Sequence, residues 1–256
     1  MNNSNSPYRL EICANSAQSC IEAQNGGAYR VELCAAIPEG GTTPSYGEMA
    51  VARESIDIKL NVIIRPRGGD FLYSPLERDI MIKDIQNAVR LGVDGIVIGC
   101  LTPDGQIDTA LANELIQEAN GLSVTFHRAF DMCKDPHKAL EQIIQLGCHR
   151  ILTSGQQPTA EQGIPLIAQL VEQADNRIII MPGSGVNPHN VAKIAQATNA
   201  VEFHLSARHA IPSNMIFRNP NLSMANNPLV INEYENQVTS AHIVRQTLDR
   251  LINQSV

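Results

Sequence analysis

The 256-residue chain has no excess of positive charge, no long apolar run and no paired-cysteine motif. Lys and Arg total 19 against 26 Asp and Glu, a formal net charge of −7. With no run of basic residues, that balance excludes a broad nucleic-acid surface. No apolar run approaches the roughly 20 residues that span a bilayer, so no membrane partner is expected. The opening MNNSNSPYRL lacks the charged-then-apolar pattern of a secretory signal. A soluble, cytoplasmic protein is the expectation. None of the cysteines (Cys13, Cys20, Cys34, Cys100, Cys133 and Cys148) forms a C-x-x-C or has zinc-finger spacing. Cys20, Cys100, Cys133 and Cys148 read as ordinary reduced thiols, which pack like small apolar residues. No G-x-G-x-x-G follows the first strand-like run, and no organic cofactor is expected.

What the chain does have is a repeat. Short β-like runs alternate with longer amphipathic ones: YRLEICA (8–14), YRVELCA (29–35), LNVIIRP (60–66), DGIVIGC (94–100), LSVTFHR (122–128), HRILTSG (149–155), NRIIIMPG (176–183) and AVEFHLSA (200–207). Helical patterns follow at 16–27, 46–55, 74–92, 108–121, 135–147, 159–174, 187–198 and 235–252. Ser74-Pro75, Asp135-Pro136 and Asn187-Pro188 each place a capping residue before a proline at the first helical position. Gly92, Gly121 and Gly147 stand where helices should stop. Eight β-then-α units in this length predict a single-domain (β/α)₈ TIM-like barrel over 8–256, with a doubly wound open sheet as the alternative. Residues 1–7 read as a flexible N-terminus. The Asn- and Pro-rich segment 212–234 reads as a long loop, either a cover for the barrel mouth or a surface or dimer-contact loop.

Alternation along the strands selects what points inward. Leu10 and Ile12 face out, so Glu11 and Cys13 face in. By the same rule Glu32 and Cys34, Asn61, Ile63, Arg65 and Arg67, Thr125 and His127, and Glu202, His204 and Ser206 face in. Both faces of the fourth, sixth and seventh strands read apolar. Barrel interiors are normally layered with branched apolar residues, so this interior is unusually polar. Glu11, Glu32 and Glu202 are expected to balance Arg65, Arg67, His127 and His204. That balance is either an internal ion network or a site at the C-terminal mouth.

The loops after the strands bear on the second choice. TSGQ (153–156) follows the sixth run and PGSGVNPHN (182–190) the seventh. Barrels often bind phosphate with the loops after strands 7 and 8. Arg67, Arg128, Ser154, Gly183, Ser184, Gly185 and Ser206 are therefore candidate anion-binding residues; a tight, empty βα turn is the alternative. Arg gives bidentate contacts to carboxylate or phosphate. An enzyme acting on a small phosphorylated or carboxylated substrate would use Glu11 or Glu32 as base, His127 as acid and Arg65 as anchor. Arg128 and Asp131 are expected to pair across HRAFD.

LEICANS, RVELCAAIPEGGTTPSYG, IRPRGGDF, FHRAFDM, ILTSGQ, MPGSGV and EFHLSAR occur in this order. Together they resemble the CutC family, named for copper homeostasis. The resemblance runs from about residue 8 to the end and implies a TIM-like barrel, a cytosolic location and self-association as a dimer or tetramer. It also implies that Cys13 and Cys34 are copper ligands. Copper(I) is soft and prefers thiolate and thioether ligands, and Met181 is a candidate third donor. The expected partners are thus a copper ion, a small anionic metabolite, or both.

Overall fold

A computed structural model describes residues 7–219, 221–222 and 232–253. The elements alternate as β1 (Arg9–Ala14), α1 (Ala17–Gly26), β2 (Arg30–Leu33), α2 (Tyr46–Ser55), β3 (Lys59–Ile63), α3 (Pro75–Arg90), β4 (Gly95–Ile98) and α4 (Thr109–Glu118). They continue as β5 (Ser123–Phe126), α5 (Pro136–Gln145), β6 (Arg150–Thr153), α6 (Ile164–Ala174), β7 (Ile179–Pro182), α7 (Val191–Thr198) and β8 (Glu202–Leu205). A hairpin of β9 (Arg208–Pro212) and β10 (Glu235–Thr239) then precedes α8 (Ala241–Ile252). The eight barrel strands are parallel, in the order β7-β6-β5-β4-β3-β2-β1-β8, and β7 lies beside β8. This is the expected nearly closed (β/α)₈ barrel.

Local chemistry sets the helix starts. Ser74 caps α3 with a full capping box: its side chain accepts from Glu77 N–H while Glu77 accepts from Ser74 N–H. Asp135 caps α5 ahead of Pro136. Three boundaries differ from the sequence reading. α6 begins at Ile164 rather than 159, because 160–163 form a turn that ends at Gly163. α7 begins at Val191 because Asn187 instead folds an Asx turn, accepting from His189 N–H at 2.8 Å. The stretch 235–239 is not the start of the last helix. It pairs antiparallel with β9, and Ser240 caps α8 behind it. Of the N-terminus expected to be flexible, residues 1–6 lie outside the described residues. So do 220 and 223–231 of the 212–234 loop, whose first and last residues belong to or adjoin the hairpin.

The apolar core lies between sheet and helices. Leu10, Ile12, Val31, Leu33, Leu60, Val62, Ile64, Ile96, Phe126 and Phe203 are buried there. Their strand neighbours point the other way, into the barrel, where a small separate cluster joins Cys13, Cys34, Ile37, Ile63 and Val97. No helix among the described residues is long and apolar enough to cross a membrane.

Candidate functional site

The barrel floor is ionic. In the β1–β2 register Glu11 lies opposite Arg30, and in the β1–β8 register it lies opposite His204. Arg30 donates from Nε to Glu11 and from Nη2 to Glu202 Oε2 at 2.6 Å. Arg150 donates from Nε to the same Glu202 oxygen at 2.8 Å. Arg30, Glu11 and Glu202 are each at most 2% exposed. Buried charges persist only when paired and hydrogen-bonded, and each of these is. The expected counter-charges Arg65, Arg67 and His127 are not the ones used. Arg30 and Arg150 take that role with His204, because the register puts them beside the carboxylates.

Above the floor stand the thiols. Cys13 and Cys34 are free, with their sulfurs 4.0 Å apart. Cys34 Sγ lies 3.3 Å from Glu32 Oε2. One ligand atom each from Cys13, Glu32 and Cys34 fall within 4.8 Å of one another. His204 completes the group: its Nδ1 meets Glu11 Oε1 at 2.8 Å, and its Nε2 lies 3.7 Å from Glu32 Oε2.

The electrostatics are uneven. Cys13 is held well below the usual thiol range by its hydrogen bond with Cys34, against burial and with help from His204 and Arg208. Cys34, sharing that bond and buried, is pushed well above it. Burial pushes Glu32 up to about 8. Burial works against charge on His204, but the Cys13 sulfur and the Glu11 carboxylate outweigh it and raise its pKa well above the ordinary value. The mouth thus favours negative charge on the Cys13 sulfur and positive charge on the His204 ring, and disfavours ionisation of Cys34.

These groups line a cavity of about 190 Å³ with Ile63, Arg65, Phe71, His127, Arg128, Leu152 and Arg208. Arg65 is buried, and its guanidinium donates to the carbonyls of Glu39, Gly41 and Gly69 at 2.8–2.9 Å. His127 packs against Phe71, with ring centroids 5.1 Å apart. Only a glycine fits at 99, since a Cβ there would collide with the His127 ring.

The other candidate residues sit elsewhere or are already engaged. Arg67 turns away to Glu77 and Asp70 at the start of α3. As expected, Arg128 Nε donates to Asp131 Oδ2, at 2.7 Å. The Asp131 carboxylate also accepts from Ser154 N–H, Ser154 Oγ–H, Thr153 Oγ1–H and Gln156 N–H. The chain's own carboxylate therefore fills the nest after β6. Gly183 N–H donates to Thr153 O, and Ser184 Oγ donates to Pro158 O. Gly183, Ser184, Gly185 and Ser206 are not among the cavity-lining residues. Met181 lies in the floor, where its sulfur accepts from Arg30 Nη2 at 3.5 Å.

Arg30, Arg150 and Arg208 were absent from the sequence-derived site. Arg30 shares the parity of Glu32 and could have been found by extending that row by one residue pair. Arg150 lies on a strand whose faces both read apolar. Arg208 reaches the mouth only through the β9–β10 hairpin, which carries no sequence signal of where it docks.

Comparison with known proteins agrees with this architecture. The CutC family model matches residues 8–209. A CutC protein of Bacteroides thetaiotaomicron is 58% identical over 245 residues, covering 95% of this chain and 98% of its own. A mouse protein named copper homeostasis protein cutC homolog is 47% identical, over 93% and 87% of the two chains. A crystal structure of a CutC protein from Streptococcus agalactiae superposes with a TM-score of 0.75 at 39% identity, over 78% of this chain and 98% of that one. Thiamine phosphate pyrophosphorylase from Pyrococcus furiosus, at 12% identity and a TM-score of 0.59, shares the fold alone. Parallel barrel, motif order and sequence identity lead to one assignment: the chain belongs to the CutC family.

Proposed function

We propose that the protein serves copper homeostasis in the cytoplasm by holding Cu(I), as cargo, between Cys13 and Cys34. The observation that carries this is the 4.0 Å separation of the two sulfurs at the base of an accessible cavity. With thiolate–metal bonds of about 2.3 Å, as zinc makes, an ion bridging them would subtend an S–metal–S angle of roughly 120°. That angle leaves room for a third donor. Glu32 is the residue whose ligand atom groups with both thiols. His204, whose Nδ1 is engaged by Glu11, would offer Nε2 once that nitrogen gives up its proton, the arrangement in which metal-binding imidazoles are oriented by a carboxylate. Soft thiolates favour Cu(I) over the hard cations that carboxylates alone would select. Binding would release the Cys34 proton, and the His204 Nε2 proton where that ring joins the ion.

The reading extends to self-association. Met215, Ile216, Phe217 and Leu222 are exposed apolar side chains beside the β9–β10 hairpin and offer a contact for a second copy.

The test is an anaerobic titration of the reduced protein with Cu(I) against a chromogenic chelator. One tight equivalent, lost in Cys13→Ser/Cys34→Ser while the circular dichroism is unchanged, is the expected result. Equal competition by the wild type and the double variant would refute it.

A further inference from the structure

The copper reading uses the thiols with Glu32 and His204 and leaves part of the mouth-cavity wall unexplained. That part of the wall comprises Arg65, His127 and Arg208. Arg65 is 4% exposed. Its partners are three backbone carbonyls and the face of Phe71, whose centroid lies 4.8 Å from the guanidinium carbon. Among the described residues no carboxylate lies within ion-pair distance of it. A buried cation without a counter-charge is costly, and the floor of this same barrel shows how the fold treats the others: each is paired.

Half of the unmet buried polar atoms among the described residues belong to residues at the same place. Buried polar atoms without a partner are few in native structures, and each calls for a cause. Among the described residues, Arg65 Nε, His127 Nε2, Arg208 Nε and Glu32 Oε1 are all without one, and all four residues line this cavity. The His127 tautomer follows from its surroundings. Its Nδ1 accepts from Ala129 N–H at 3.1 Å. Burial, and then the charge of Arg65, lower its pKa to about 3, so the ring is neutral. The single ring proton therefore sits on Nε2, on a residue that lines the cavity. The wall thus offers N–H donors from two guanidinium groups and one neutral imidazole.

We propose that this wall binds a short carboxylic acid bearing a carbonyl or hydroxyl oxygen on C2, with the carboxylate against Arg65 and Arg208 and the second oxygen on His127 Nε2–H. The cavity, about 190 Å³, has room for a three- or four-carbon acid. A phosphate is disfavoured. It would want backbone N–H groups, but the Ser154 and Gly183 amides are already engaged by Asp131 and Thr153. The proposal does not depend on copper, because it uses neither thiol.

Pyruvate is the probe, followed by thermal shift and by saturation in ligand-observed NMR on the full chain. Saturable binding with a Kd of about 1 mM or tighter is expected, with a Tm rise of a few degrees at about 10 mM. Pyruvamide and inorganic phosphate at the same concentration should give neither signal. Arg65→Met should weaken binding at least tenfold, a loss matching one charge-assisted hydrogen bond. Because Arg65 also ties three carbonyls, Arg208→Gln and His127→Phe serve as second variants, each expected to weaken pyruvate severalfold with a native far-ultraviolet spectrum. Cys13→Ser/Cys34→Ser should keep pyruvate binding, which separates this site from the metal clip. Absence of saturation up to about 10 mM, phosphate binding as tight as pyruvate, or unchanged affinity in folded Arg208→Gln and His127→Phe would each overturn the proposal.

Discussion

Replacing Arg30 by methionine tests what holds the barrel together from inside. Arg30 is a single cation joining Glu11 to Glu202, and all three are buried. Methionine fills most of the volume but supplies no charge. Glu11 then keeps only His204, and Glu202 keeps Arg150 with the outer Arg9 at 3.9 Å. Removing one partner of a buried pair costs about 3–5 kcal/mol, because the remaining charge loses its compensation. For a chain of this length that corresponds to a fall in Tm of roughly 6–20 °C. The acid limb of stability should move as well. Burial alone would raise Glu11, but Arg30 and His204 outweigh it and hold it at about 2. Its lowered pKa stabilises the fold at pH above the ordinary 4.5 and loses that contribution as pH falls toward 2. Without Arg30 the folded pKa rises, so the loss begins at a higher pH. The assay is urea denaturation of wild type, Arg30→Met and Arg30→Met/Glu11→Gln at pH 7 and pH 5. The double variant, with one stranded carboxylate removed, should recover part of the loss. A loss below about 1 kcal/mol in Arg30→Met, or strict additivity in the double variant, would refute the reasoning.

The other expectations are more local. Asp131→Asn leaves one carbonyl oxygen to face five donors, so the loop after β6 should open and stability fall by about 2–3 kcal/mol, read by urea titration. His127 is held at about 3 in the fold against an ordinary 6.5, so between those values the unfolded chain takes a proton that the native one refuses. Stability should therefore drop as pH falls below 6.5, by up to roughly 1.4 kcal/mol per unit from this group, and His127→Phe should flatten that slope by one proton. Ile216→Ser/Phe217→Ser should shift the protein toward monomer in sedimentation velocity, since both side chains are at least 75% exposed. An unchanged sedimentation coefficient would place any self-contact elsewhere.

The barrel was legible because its signals are short-range. Five of the eight strands declare their outward face by alternation, and proline and glycine mark several helix ends. ENQVT misled because a five-residue run ahead of a helix carries too little periodicity to reveal the strand opposite β9. The inward row was equally legible where one face was polar, which is how Glu11, Cys13, Glu32, Cys34 and Glu202 were found. Partner choice was not. Whether Glu11 meets Arg30 or Arg65 depends on register between strands, which alternation within one strand cannot fix. The nest after β6 looked open for the same reason: nothing in TSGQ shows that Asp131, 22 residues earlier, has closed it.

The ionic floor has a consequence for traffic. Arg30, Glu11, Glu202 and Met181 close the axis of the barrel, so the interior is a cup with a single rim. Among the described residues, the cavity that holds the two thiols is lined also by Arg65, His127 and Arg208. Entry and departure share one gate. An occupant lodged at that gate would slow exchange in both directions, lengthening the time a guest of the thiols stays.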